Sequence, residues 1–184
     1  MRQRIRSRLT FASVMSLAVL FVVLVATAFA TTKTRTYTSG KLSRPIVDNS
    51  LFVSRIKVPD RGKVKDVNVS VRLNHTNDGD VFLALVSPAG KTVNLTSDNG
   101  DGGANFGTGP NNCHGTPTIF DDQAATSIAD PGALPPFAGS FIPEEPLSQF
   151  RGQAHGIWSL VVGDDNTPDT GTLGCWKLTI KRRT

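Results

Sequence analysis

The chain has 184 residues and carries 20 Lys and Arg against 15 Asp and Glu, a formal net charge of +5 with a pI near 9.6. Such a basic balance would suggest a nucleic-acid-binding protein. However, four of the bases and no acidic residue lie within residues 1–30, and three more bases stand in the final "KRRT". Residues 31–184 therefore carry a formal net charge of only +1, and we predict no nucleic-acid partner.

Residues 1–30 have the pattern of a secretory signal peptide. A basic region with four arginines is followed by the apolar run "LAVLFVVLVATAFA", which ends in the small-residue pattern Ala28-Phe29-Ala30. This run is short for a membrane span, which needs about 20 residues. The sequence predicts cleavage after Ala30 and a secreted, extracellular protein. The alternative is an uncleaved anchor that would hold the chain at a membrane, facing outward.

Residues 31–44 are polar and show no apolar period, so we predict a linker there and a single domain over residues 45–184. From Pro45 onward the pattern is that of β-strands. In "VKDVNVSVRL" the apolar residues alternate strictly with polar ones, which is typical of a strand with one buried face. Val67, Val69, Val71 and Leu73 share that face. The other predicted strands are residues 51–58, 81–87, 91–95, 137–143, 157–163 and 173–180.

Two details of these strands bear on the fold. Residues 81–87, "VFLALVS", are apolar on both faces, as expected of a strand buried inside a sandwich. The next residues, "SPAG", suit a type I turn because proline fixes φ at the second position. Short strands separated by Gly, Pro and Asp turns predict an all-β fold, an antiparallel β-sandwich or jelly roll.

Residues 97–118 form a long segment rich in Gly, Asn and Asp that cannot pack as a strand. Loops of this length are usually functional, disordered or tied down. Cys113 lies in it and Cys175 lies in the last strand, and these are the two cysteines of the chain. In an oxidising compartment the pair predicts a disulfide, the alternative being two reduced thiols. It would hold the loop across the outer face of the last strand.

Several blocks resemble, in order, the P domain (P/Homo B domain) of subtilisin-like proprotein convertases and bacterial secreted serine proteases. They are "NHTNDGDVFLALVSPAGKTVNL", "FDDQAATSI" and "FAGSFIPEEPLSQFRGQAHGIWSLVVGDDNTPDTGTLGCWKLTI". The resemblance covers about residues 45–181 and implies an eight-stranded, antiparallel jelly-roll-like β-sandwich, similar to a galactose-binding domain. In that family the domain follows a subtilisin-like catalytic domain, for which this chain has no room. The family's serine-type endopeptidase activity is therefore expected as context, and the chain itself is expected to be no enzyme.

The residues support no catalytic site. Nucleophilic catalysis needs a nucleophile beside a base that a third group orients. His75, His114 and His155 stand in a polar corner, in the glycine-rich loop and in a turn, and no serine lies in a nucleophile elbow. For His75 we predict a structural role, hydrogen-bonded to backbone.

Aspartates in the loops could hold a cation, because calcium accepts loop carboxylates in a tolerant geometry. The candidate ligands are Asp80, Asp121, Asp122 and Glu144. The alternative is that these residues accept hydrogen bonds from nearby backbone N–H groups as turn formers. No other cofactor is predicted.

The function predicted on these grounds is that of a non-catalytic accessory or binding module linked to proteolysis. Its partner would be a subtilisin-like protease in trans, or the protein substrate of such a protease. The alternative function is a carbohydrate- or cell-surface-binding sandwich, which would need exposed aromatic side chains. Trp158 and Trp176 each share a strand face with apolar residues, so we expect both in the core.

Overall fold

The structure is a computed structural model that describes residues 30–184. The predicted signal peptide lies outside the described residues except for Ala30. Within the described part, no helix has the length and apolar character that a membrane crossing needs.

Ten strands form two sheets within residues 30–184, which confirms the all-β sandwich. The strands are β1 (Thr32–Thr38), β2 (Arg44–Ile46), β3 (Ser50–Val58), β4 (Lys63–His75), β5 (Val81–Val86), β6 (Thr92–Ser97), β7 (Thr118–Phe120), β8 (Gly139–Phe141), β9 (Gly156–Asp164) and β10 (Gly171–Arg183). One sheet has the order β1-β10-β4-β7-β8, with β2 also paired to β10, and the other has the order β3-β9-β5-β6. Pairing is antiparallel except between β7 and β8, which run parallel. Asp78–Asp80 and Leu147–Gln149 form short 3-10 helices.

The core lies between the two sheets and follows the predicted alternation. The alternating apolar residues of β4 are buried, as are Trp176, Leu178 and Ile180 of β10. Trp158 and Leu160 of β9 meet them from the facing sheet. This core, both sheets and the disulfide all lie within residues 31–184, so that segment contains what it needs to fold on its own.

The expectation that β5 is buried on both faces is wrong for one face. Leu83 and Leu85 are fully buried, whereas Phe82 and Val86 on the other face are partly exposed. The sandwich has only two layers, so the second face of the four-stranded sheet has no sheet over it.

The linker predicted for residues 31–44 is also wrong, because Thr32–Thr38 form β1, an edge strand paired with β10. Its side chains are exposed except Tyr37, so an apolar period is missing even though the backbone is in the sheet. Threonine favours strands. The Tyr37 hydroxyl donates to Asp60 at 2.5 Å. Burial, followed by that hydrogen bond, raises the pKa of Tyr37 to about 12.

The predicted disulfide is confirmed. Cys113 and Cys175 are bonded, 62 residues apart in sequence. The pairing of β10 with β4 shifts register between Leu173 and Cys175. The Lys177 ammonium donates to the Cys113 carbonyl oxygen at 3.0 Å. The glycine-rich loop is thus held over the outer face of β10, as the sequence predicts.

Candidate functional site

The segment "HTNDGD", residues 75–80, connects β4 of one sheet to β5 of the other. Asn77 organises this polar corner. Its Oδ1 atom accepts hydrogen bonds from the N–H groups of Gly79 at 3.1 Å and Gly102 at 3.0 Å. The first bond caps the 3-10 helix Asp78–Asp80, since an Asn side chain readily accepts from the backbone two residues on. The second ties the corner to the glycine-rich loop.

His75 forms a buried hydrogen-bonded pair with Asp164 of β9. Its Nε2 atom lies 3.0 Å from Asp164 Oδ2, and both side chains are fully buried. On the other side of the ring, Nδ1 lies 2.6 Å from the carbonyl oxygen of Asn77 and 3.3 Å from the Asn77 backbone nitrogen. Both ring nitrogens therefore have a hydrogen-bonding partner in the interior. The predicted backbone hydrogen bond of His75 is present, and the partner in β9 was not predicted.

Asp78 is a fully buried carboxyl with one oxygen left without a partner. Its Oδ1 atom accepts from the Asn105 N–H at 2.8 Å, while Oδ2 is buried without a hydrogen bond. Burial raises the pKa of Asp78 to about 8, against the opposing effect of the Asn105 hydrogen bond. At neutral pH this carboxyl is therefore largely protonated.

Asp80, two residues on, repeats this arrangement. Its Oδ1 atom accepts from the side-chain amides of Asn77 at 3.0 Å and Asn166 at 3.3 Å, and its Oδ2 atom is buried without a partner. The corner thus contains two buried carboxylate oxygens that no described donor satisfies. Buried groups of this kind are uncommon and call for an explanation.

The acidic character extends to the turn after β9. Desolvation raises the pKa of Asp165, and repulsion by Asp98, Asp80 and Asp164 adds to the effect. This end of the four-stranded sheet therefore concentrates negative charge.

The four predicted calcium ligands occupy separate hydrogen-bonding positions. Asp121 accepts from Asn68 and from the Gln123 N–H. Asp122 accepts from the Leu147 and Ser148 N–H groups at 2.7 and 2.8 Å and so caps the second 3-10 helix.

Glu144 accepts from the Ser97 N–H and from the side-chain amides of Asn94 and Asn99. Of the four candidates, Asp80 alone keeps a buried oxygen without a partner. Among residues 30–184 no group of three or more His, Cys, Asp or Glu is arranged to hold a metal.

The histidines show no nucleophile partner in the described part of the chain. No serine, threonine or cysteine side chain there hydrogen-bonds to a histidine ring, and the contacts of the His75 ring are those with Asn77 and Asp164. The tryptophans lie in the core as predicted. Trp158 Nε1 donates to the Ala154 carbonyl and Trp176 Nε1 donates to Ser54 Oγ, so neither ring offers a stacking surface.

Comparison with known proteins supports the family resemblance. The family model described as the proprotein convertase P-domain matches residues 64–112, from β4 to the residue before Cys113. The resemblance to the P domain is therefore confirmed over this segment, which contains the polar corner. No curated protein matches the chain in sequence.

Two solved structures resemble the fold over 85% of this chain. The serine protease of Aeromonas sobria has 18% identity and a TM-score of 0.49. The same protease in complex with its chaperone has 17% identity and a TM-score of 0.47. The present chain spans 28% of the length of each of those chains. TM-scores below 0.5 are too low to support an argument about fold or function.

Proposed function

We propose that the protein is a secreted, non-catalytic P-domain module that acts as an accessory to a subtilisin-like serine protease. It binds the protease, or the protein substrate of that protease, in trans. The match of the P-domain model to residues 64–112 carries this proposal. The described fold agrees with it, because the strands of a two-sheet sandwich extend from Thr32 to Arg183.

The surface of the described domain favours a protein partner over a polysaccharide. A polysaccharide needs an exposed aromatic platform, and both tryptophans are buried in the core. The large apolar side chains that are well exposed in the described domain are aliphatic: Val47, Leu51, Leu134 and Ile157.

The test is a pull-down from the secreted proteins of the host. The bait is the exported protein, kept oxidised so that the Cys113–Cys175 bond is intact. Recovery of a subtilisin-like protease, or of a protein that this protease cleaves, is the expected result. Retention on cell-wall polysaccharide with no protease or substrate recovered would overturn the proposal and favour a surface-binding module.

The proposal includes calcium as a structural ion. The observation that supports it is the buried Oδ2 atom of Asp80, which has no described hydrogen-bond partner. A carboxylate oxygen of this kind suits calcium. The pull-down is therefore run once with calcium and once with chelator, and recovery that falls in chelator would link partner binding to this corner.

A further inference from the structure

One end of the outer face of the four-stranded sheet is apolar and partly open to solvent. Register places Leu51 of β3 and Phe82 of β5 on either side of Gly163 in β9. The next row along the same face consists of Val53 and Val161, which are partly exposed, and Ala84, which is buried. A sheet face turned to water normally carries polar side chains. Apolar rows at this position indicate a surface that another protein covers.

A hollow lies at one end of this face. Gly163 contributes no side chain, and the cavity above it has a volume of about 360 Å³, with Leu51 and Phe82 among its lining residues. A Cβ atom at Gly163 would lie 3.4 Å from Leu51 Cβ, which is an ordinary contact. The hollow is therefore present because Gly163 has no side chain, and the neighbouring side chains do not fill it.

A protruding side chain lies at the other end of the same strand. Ile157 is 44% exposed and lies six residues before Gly163, so both point to the same face of β9. They are separated by about 20 Å at the usual rise of a strand. If a second copy lies face to face with its β9 reversed, Ile157 of each copy lies over Gly163 of the other. Two protrusions and two hollows then meet in one symmetric contact.

The charges on this face favour the same arrangement. Lys57 pairs with Ile157 in the sheet register, and Arg55 follows on the same face, so the Ile157 end is basic. The Gly163 end is acidic, because Asp165 lines the hollow and Asp98 is near it. Reversing the strand direction brings the basic end of one copy over the acidic end of the other. A two-fold axis parallel to the strands would instead bring like charges together.

We propose that the outer face of the four-stranded sheet is the interface of a homodimer, in which Ile157 of each copy fills the Gly163 hollow of its partner. This inference goes beyond the proposed accessory function and does not depend on it, because self-association needs no protease. The surface is small and partly polar at its ends, so the dimer belongs with weak, concentration-dependent interfaces.

The first experiment is sedimentation velocity on the exported protein from about 1 µM to about 1 mM. We expect a monomer–dimer equilibrium in this range, and Ile157→Asp should weaken the dimer at least about tenfold, because it replaces a main apolar contact with a carboxylate facing the acidic end of the partner. The matched control is Leu134→Asp. Leu134 is 71% exposed in a loop outside these four strands, so this variant should dimerise like the wild type. Circular dichroism checks that each variant is folded.

A charge exchange tests the orientation. Lys57→Glu and Asp165→Lys should each weaken the dimer, and the double variant should recover it because the opposed charges are restored. A wild type that stays monomeric to the highest concentration overturns the proposal, as does a dimer that Ile157→Asp leaves unchanged. Failure of the double variant to recover would overturn the antiparallel arrangement.

Discussion

His75 Nε2 and Asp164 Oδ2 lie 3.0 Å apart in the interior, at the ends of strands that belong to different sheets. His75 ends β4 of the six-stranded sheet, and Asp164 ends β9 of the four-stranded sheet. The pair thus joins the two layers at the polar corner. Because both side chains are fully buried, each one depends on the other to satisfy a hydrogen-bonding atom.

Removing one member of this pair should therefore be costly. We expect His75→Ala or Asp164→Ala to lower the free energy of unfolding by about 1 to 3 kcal/mol, because each leaves a buried hydrogen-bonding group without its partner. The double variant His75→Gln with Asp164→Asn should lose less than the sum of the two single losses. Urea unfolding of the four proteins gives this coupling. Strictly additive losses would contradict a direct interaction.

Asp78 should make the stability depend on pH. Burial raises the pKa of Asp78 from an ordinary value of 3.8 to about 8 in the folded chain. Between these values the unfolded state loses the proton and the folded state keeps it, so the free energy of unfolding falls as pH rises from about 4 to about 8. Asp78→Asn removes this loss and preserves the acceptor for the Asn105 N–H. In chelator, the free energy of unfolding of Asp78→Asn should therefore rise relative to that of the wild type by about 3 to 6 kcal/mol between about pH 4 and about pH 8.

The measurement for Asp78 is urea unfolding at several pH values between 4 and 8.5, with calcium removed. Asp101→Asn serves as the control, since Asp101 is an exposed residue of the neighbouring loop. It should follow the wild-type profile. If the difference in the free energy of unfolding between Asp78→Asn and the wild type stays constant with pH, the buried carboxyl does not titrate in this pH range.

The sequence predicts the strands with a buried face but not the contacts between distant strands. Strict alternation predicts β4, and apolar runs predict β3, β5 and β9, because a strand with one buried face has apolar residues at every second position. The pair His75–Asp164 spans 89 residues and two sheets, and no local period records such a contact. The sequence pattern does not predict β1 for a related reason, because an exposed edge strand needs no apolar face.

The roles of the acidic loop residues likewise depend on contacts between segments that are distant in the sequence. Sequence alone identifies Asp121, Asp122 and Glu144 as oxygen donors in loops, and it equally allows hydrogen bonding to the backbone. The choice depends on which N–H groups the fold brings within reach. The structure brings the Leu147 and Ser148 N–H groups to Asp122, from a segment 25 residues away.

The disulfide should contribute substantially to stability. Cys113 and Cys175 are 62 residues apart, and closing a loop of this size restricts the unfolded chain by about 4 kcal/mol on the chain-entropy estimate. The variant with both cysteines changed to alanine should lose an amount of this order in urea unfolding. The wild type reduced with a thiol should lose a similar amount. Equal stability of the oxidised and reduced forms would contradict this prediction.

Asp122 should stabilise the domain as a cap and not as a metal ligand. Asp122→Ala removes the acceptor for the Leu147 and Ser148 N–H groups and should cost about 1 to 2 kcal/mol. Gln123→Ala, at the exposed neighbouring position, should cost little. The loss at Asp122 should be the same in calcium and in chelator. A loss seen only when calcium is present would instead make Asp122 a ligand.

Calcium, if the proposal is right, should act at the polar corner. Added at about 10 mM to a site with a Kd of about 1 mM, it should stabilise the fold by about 1.4 kcal/mol, which raises Tm by about 3 to 5 °C. Asp80→Asn should remove this rise, because it replaces the carboxylate whose Oδ2 atom is buried without a partner. Asp121→Asn, whose two oxygens already accept hydrogen bonds in the wild type, should retain it. A wild-type melting curve that is the same in calcium and in chelator would remove calcium from the proposed function, and the unpartnered oxygens of Asp78 and Asp80 would then be accounted for by protonation or bound water.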